Sequence, residues 1–434
     1  MKKLILILLL SPLLTNAQCF QSFFGGVHQS FAISDNGTLW SWGPVNSYIL
    51  AQNGDTYIPT VIANQTHDWK FVSAGELHAL GIKNDNTLYA WGLRKNGEFG
   101  YWINEHVDLI YLPFTNLISD DKWKAAAVGM EFSMGIKEDG TLWATGRNDV
   151  GQLGIGNNTN SYGFAQVGTD LWRSIAVWYW RTFGIQEDGT LWKWGAGLGN
   201  VPVQVGTDND WNITTHAYAI KNDGSLWDIQ SYWNPNGIVT QVGTDNDWIA
   251  ISTGNNHTLA LRSDGTLWSA GGNNFGQLGY EPVGSNITQT FLQVGQDNDW
   301  VQIKTGSDFS MAQKSDGSIW TWGDNWRSRL GHNNLDDLYI VTPTRLNCAA
   351  LSTSDIESQE QISLYPNPVE DILTLQFPND QEIKKIVVYD LNGKVVLERQ
   401  ENILKVNLER LNTGLYLLAV HTPTSIYRNK FLKK

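Results

Sequence analysis

Along most of the chain, short stretches of alternating apolar and polar residues are separated by tight polar turns. His257-Thr258-Leu259-Ala260-Leu261 is one such stretch and Thr266-Leu267-Trp268-Ser269-Ala270 is the next. Both predict strands with one buried face, because successive side chains on a strand point to opposite sides. Between them lies Asp264-Gly265, a pair suited to the positive φ that a tight hairpin needs. The phrase Asp-Gly-Thr/Ser-Leu-Trp recurs at residues 36–40, 85–89, 139–143, 188–192, 223–227, 264–268 and 316–320. The first copy has Asn36 for Asp, the second has Asn86 for Gly and Tyr89 for Trp, and the seventh has Ile319 for Leu. The turn positions are thus 49, 54, 49, 35, 41 and 52 residues apart.

A second Gly follows six residues beyond the turn position, at Gly43, Gly92, Gly146, Gly195, Gly271 and Gly323. Boundary tryptophans at Trp69, Trp123, Trp172, Trp211, Trp248 and Trp300 separate the units, and Gly75, Gly129, Gly254 and Gly306 stand six residues after four of them. Six boundaries make seven units, each near the length of a propeller blade. The pattern predicts a seven-bladed β-propeller over residues 18–348.

These motifs resemble the regulator of chromosome condensation repeat. Gly75-x-x-His78, the Asp-Gly-Thr-Leu-Trp hairpin and Trp-Gly carry the resemblance, with Asn148-Asp149-Val150-Gly151-Gln152-Leu153-Gly154 and its copy at residues 273–279. Degraded copies of that last motif end at Gly100 and Gly331. The resemblance implies four-stranded antiparallel blades around a central channel. A sialidase-like propeller is the competing reading, since Ser263-Asp264-Gly265-Thr266 hints at an Asp-box; the Gln-Leu-Gly motif belongs to the former family.

The ends of the chain differ from this middle. Lys2 and Lys3, the apolar run from Leu4 to Leu14 and Thr15-Asn16-Ala17 together predict a signal peptide over 1–17, cleaved near Ala17. Lipid attachment at Cys19 is disfavoured by Gln18, and no run is long enough for a membrane-spanning helix. No Trp lies beyond Trp326. A polar linker over 349–361 gives way to four predicted strands, at residues 371–377, 383–389, 406–408 and 415–420, with Asn392-Gly393 as a hairpin turn. Those signals predict a small immunoglobulin-like β-sandwich, making the whole chain all-β. Residues 362–434 resemble the C-terminal sorting domain of type IX secretion substrates. The resemblance rests on Tyr365, Pro366, Asn367 and Pro368, on Gly393 and Lys394, on Gly414 and Tyr416, and on the basic end with Lys430, Lys433 and Lys434. It implies the Sec export machinery and a type IX translocon as partners. The protein would pass through the periplasm to become secreted or surface-bound. An ordinary adhesive sandwich is the alternative.

Composition narrows the function. A formal charge of -13 argues against a nucleic-acid partner, which needs clustered cations. His28, His78 and His257 are read as one repeat position where Phe132 and Phe309 substitute, so packing rather than proton transfer is expected there. The turn residues Asp139, Asp188, Asp223, Asp264 and Asp316 are expected to bond their own turns. Asp208 with Asp210, Asp245 with Asp247, and Asp297 with Asp299 lack the Gly and distal Glu of a calcium loop. No catalytic residue, metal site or cofactor is expected. The chain reads as a non-catalytic binding module for an extracellular protein or glycan; a polysaccharide-degrading enzyme with carboxylates from several blades is the alternative. Units four and five depart most from the repeat, with Trp178-Tyr179-Trp180 and Tyr232-Trp233. These aromatics either face a ligand or fill space left by short blades. Lastly, Cys19 stands six residues before Gly25, as the boundary Trp stands before Gly75. Ring closure by a sheet shared between the chain's two ends would bring Cys19 and Cys348 into one blade, and a disulfide between them is expected.

Overall fold

The computed structural model describes residues 20–44, 56–62, 68–100, 110–116, 121–231, 234, 236–281, 283–333, 338–346, 363–376, 383–389, 395–400, 404–422 and 426–434. Two compact units emerge, Met1–Asn347 and Cys348–Lys434. The first holds seven four-stranded antiparallel blades, at residues 22–61, 69–116, 123–171, 172–204, 211–241, 248–293 and 300–345. Blades three and four share the long strand Ser161–Trp178, which changes partner near Leu171. Each inner strand touches that of the next blade, and Trp300–Thr305 touches Ser22–Gly25 to close the ring.

The recurring phrase builds each hairpin in one way. In blade three, Asp139 Oδ1 accepts from the Thr141 N–H at 2.9 Å and from Thr141 Oγ1 at 2.6 Å, while Trp143 Nε1 donates to Thr141 Oγ1 at 2.8 Å. The same trio recurs around Asp188, Asp223, Asp264 and Asp316. Hydrogen bonds from the following Thr or Ser hold all five carboxyls below the usual range. The turn then reaches across the junction: the carbonyls of Gly37, Asn86, Gly140, Gly189, Gly224 and Gly265 accept from the boundary Trp N–H of the next blade. Hence the turn phrase and the boundary Trp recur together.

The Asp-x-Asp pairs clamp a cation between two indoles. Lys314 Nζ lies 2.7 Å from Asp297 and 3.1 Å from Asp299, and 4.8 and 5.1 Å from the Trp300 and Trp320 ring centres. Lys221 and Arg262 repeat the arrangement in blades five and six. Side-chain cations therefore already occupy the carboxylates considered as calcium ligands.

Strand register corrects the alignment of the first unit. Gly26 N bonds to Gln29 O as Gly75 N bonds to His78 O. Gln29, not His28, therefore shares the position of His78 and His257. The boundary slot accordingly falls to Phe20 rather than Cys19. Phe20 meets Trp40 and Trp42 at 5.8 and 6.2 Å, much as Trp69 meets Tyr89 and Trp91 at 5.3 and 5.9 Å. The adjacent Gly25 hides the match in the sequence, because Gly25-x-x-His28 imitates Gly75-x-x-His78 one residue early. Closure also differs from expectation. Blades one and seven are each continuous in sequence, and among the described residues no sheet is shared between the propeller's two ends. Ser30 Oγ instead donates to Arg329 O at 2.9 Å, and Gln313 Nε2 donates to Phe20 O at 3.0 Å. Cys19 and Cys348 lie outside the described residues.

The second unit comprises a three-stranded and a four-stranded sheet around Leu373, Ile386, Val388, Leu418, Val420 and Phe431. Beyond the strands expected, it contains Ser363–Tyr365, Val395–Arg399 and Ile426–Lys433. The Asn392-Gly393 turn lies outside the described residues, but the strands on either side of it pair antiparallel.

Candidate binding site at the channel mouth

At the end of each inner strand the backbone turns toward the second strand. Gly26, Gly75, Gly129, Thr215, Gly254 and Gly306 donate from their N–H to the carbonyl three residues on. Trp178 takes this place in blade four, paired with Arg181. Close packing explains the glycines. A Cβ on Gly129, Gly254 or Gly306 would collide with the ring of Phe132, His257 or Phe309, and one on Gly75 with Val128 and the Gly129 carbonyl. Blade four reverses the arrangement, with the ring on the inner strand and an Arg where the other ring would stand.

Trp178, Tyr179 and Trp180 form a contiguous aromatic cluster. Trp178 meets Tyr179 edge-on at 5.0 Å, and Tyr179 meets Trp180 at 6.2 Å. Tyr179 is 38% exposed and holds a φ of 48°, a left-handed conformation that costs a non-Gly residue energy and concentrates at functional positions. Trp180 is half-buried near the Arg147 guanidinium, at 5.8 Å. Trp178 and Tyr179 line a cavity of about 140 Å3 at the channel mouth, with Glu76, Met130, Asn255 and Ser307.

A larger cavity, about 320 Å3, opens beside it between blades five and six. Trp178 and Arg181 form its blade-four wall, and His216, Gln230 and Ser231 come from blade five. Asn255, Asn256, Thr258 and Ala270 come from blade six. His216 stacks on Trp178 at 4.6 Å with an interplanar angle of 10°. Burial first, and the Arg181 charge second, push the His216 imidazole down to about 3. Tyr232 and Trp233 lie outside the described residues, immediately after Gln230 and Ser231. Sequence reading missed Arg181 and His216. Aligning the residues three beyond each mouth position (Gln29, His78, Phe132, Arg181, Tyr218, His257, Phe309) would have singled out Arg181 as the sole permanent cation.

His78 and His257 prove to be packing residues. His78 Nε2 lies 2.8 Å from Ser133 Oγ of the next blade, and His257 Nε2 lies 3.0 Å from Ser310 Oγ. Burial pushes their imidazoles down to about 3 and about 4.

In the second unit, the two ends of the sorting signature meet. Asn367 Oδ1 accepts from Leu432 N at 2.9 Å, and Lys434 N donates to Val369 O at 2.8 Å. Lys433 Nζ lies 3.6 Å from Asp371, and Tyr416 stacks on Phe431 at 5.7 Å. Tyr365 is 76% exposed beside two cis prolyl bonds, at Pro366 and Pro368, and Gly414 opens a strand. Gly393 and Lys394, together with the Lys430 side chain, lie outside what the structure describes.

A closed ring of seven linked repeats places the first unit among β-propellers built from one repeated hairpin. The chain carries regulator of chromosome condensation (RCC1) repeats, matched at residues 69–99, 248–277 and 264–313, and a secretion system C-terminal sorting domain, matched at 363–434. That tail indicates type IX secretion to the cell surface or extracellular space. The chain is 25% identical over 313 residues to the ultraviolet-B receptor UVR8 of Arabidopsis thaliana, covering 70% of this chain and 65% of the receptor. It is 26% identical to the E3 ubiquitin-protein ligase HERC2 of Homo sapiens over 66% of this chain but only 4% of the ligase. A crystal structure of yeast RCC1 (Prp20) bound to Kap60 superposes with a TM-score of 0.62 at 15% identity, covering 75% of this chain and 85% of that one, which shows the shared fold.

Proposed function

We propose that the protein is a non-catalytic binding module that engages an extracellular protein or glycan through the channel mouth of blades four to six. The observation that carries this is the exposed, left-handed Tyr179 between two tryptophans, the first of which, Trp178, stands where the other blades place Gly or Thr. Aromatic side chains offer a large rigid contact at low entropic cost and are enriched at binding hot spots. The five turn carboxylates are engaged as turn acceptors, so these repeated residues serve the hairpins rather than an acid–base pair. A screen of the mature protein against surface polysaccharides and surface proteins tests the reading. A partner whose binding falls at least tenfold in Tyr179→Ala supports it. Release of reducing ends from a polysaccharide would favour the enzymatic alternative.

The export route completes the proposal. Residues 1–17 act as a Sec signal, passage is through the periplasm, and the tail is removed within 349–361 after the translocon has read it. Deleting residues 362–434 is expected to leave the propeller folded in the periplasm. Normal secretion of that deletion would overturn the assignment.

A further inference from the structure

The cavity between blades five and six lies at a junction that lacks a device present between blades three and four and between blades six and seven. In blade six, the loop after the third strand reaches over blade seven: Gln277 O accepts from Ser310 Oγ at 2.8 Å and from Trp322 Nε1 at 3.0 Å. The blade-three loop does the same to blade four, where Gln152 O accepts from Thr182 Oγ1 at 3.3 Å and Trp194 Nε1 at 3.1 Å. Blade five carries no Gln-Leu-Gly loop, and on blade six the slot of Trp322 and Trp194 is held by Ala270. Both halves of the lock are absent, and Thr258 and Ala270 line open space instead.

What lines that space is chemically selective. The chain has 43 carboxylates, yet the described residues of the wall include none. Arg181 is anchored by its Nε, which donates to Ala196 O at 2.9 Å, and forms no ion pair among the described residues. Asn255, Asn256, Gln230, Ser231 and Thr258 line it with neutral amides and hydroxyls, three of them already held in place (Asn255 Nδ2 on Ser307 Oγ, Gln230 Oε1 on Lys193 Nζ, Ser231 Oγ on Asp228 Oδ2), and the stacked Trp178 and His216 rings give a preformed flat wall. A fixed guanidinium pairs with a carboxylate through parallel hydrogen bonds. Neutral amides and hydroxyls spread around an aromatic plane suit a ring that is apolar on one face and carries hydroxyls around its edge. We propose, building on the binding role above, that this cavity seats one acidic sugar residue of an extracellular polysaccharide, a uronic acid whose carboxylate pairs with Arg181. An acidic peptide side chain would satisfy Arg181 but would leave most of the amide wall unused. At about 320 Å3 the cavity lies at the small end of ligand pockets, suited to one ring rather than a chain.

The test is calorimetric titration of the mature full-length protein with galacturonate and glucuronate oligosaccharides. Their carboxyl-reduced neutral counterparts and a glutamate-rich peptide serve as comparisons. Binding of a uronate oligosaccharide is expected, weakened at least tenfold by carboxyl reduction. Arg181→Gln should cause the same loss with an unchanged melting temperature, and Ala270→Leu, which fills the cavity, should abolish binding while the protein stays folded. Three results would overturn the proposal: no uronate binding, equal affinity for the reduced sugar, or tighter binding of the acidic peptide. If a neutral glycan or protein still binds in a Tyr179-dependent way, the binding role stands and only the uronate assignment falls.

Discussion

The junction between blades six and seven and the one between blades five and six are built from the same repeat and end differently. In the first, Trp322 is fully buried and its indole N–H is capped by the Gln277 carbonyl. In the second, Ala270 occupies the indole's place and a cavity remains. Below both, the hairpin trios, the cation clamps and the turn-to-Trp bonds are the same. The ring is therefore held together at its base by interactions common to the blades, and its mouth is free to vary. A junction can lack the lock without opening the ring.

The largest effect expected from breaking this contrast is on the locked side. Trp322→Ala should cost about 3–5 kcal/mol in denaturant unfolding, since it removes a fully buried indole and orphans the Gln277 carbonyl. Trp178→Ala should cost much less stability while removing ligand binding. Equal losses in the two variants would show that Trp178 is packing and sink the distinction.

The closing junction offers the next test, because it has no covalent linker. Leu346 N bonds to Ile319 O at 2.8 Å as Val294 N bonds to Leu267 O, so Leu346 and Phe20 stand where a linker would begin and end. Cys348 lies two residues beyond the first and Cys19 one before the second. A disulfide between them would replace the linker, and Cys19→Ser should lower stability by about 2–4 kcal/mol in secreted protein. Two titratable thiols in the denatured secreted chain would refute the bond.

A smaller, pH-dependent effect concerns the buried imidazoles. His78, His216 and His257 have folded-state values pushed below the ordinary 6.5, to about 3, about 3 and about 4. Below pH 6.5 the unfolded chain takes up protons that the folded chain refuses. Stability should therefore be full above that pH and fall as pH drops toward the folded values, by up to roughly 1.4 kcal/mol per unit for each group. His257→Phe, the residue already used at Phe309, should flatten the melting-temperature profile between pH 6.5 and 4. An unchanged slope would show that His257 is not the group responsible.

The smallest effect should be the same on either side of the contrast. Asp223→Ala in blade five and Asp316→Ala in blade seven each remove a turn acceptor, and each should cost about 1 kcal/mol. A much larger loss in one of them would mean that the blades do not share a common base.

Much of this molecule is local, and local order is written in the chain. The Asp-Gly-Thr-Leu-Trp turn closes on itself within five residues, so its strands, its count of seven and the role of its carboxylates follow from the sequence alone. The sorting motifs are likewise legible as words, although only folding shows Asn367 bonded to the backbone of Leu432 some 65 residues later. In the first unit two neighbouring glycines, Gly25 and Gly26, allow two alignments one residue apart, and strand register shows that Gln29 and Phe20 hold the repeat positions. The aromatic departure of unit four was visible, but its meaning was not. Trp178, Arg181, His216 and Ala270 come from three blades, and nothing in the sequence of any one strand brings them together. They line one cavity where a missing loop on one blade meets a missing indole on the next, and a cavity is a property of what neighbours fail to fill.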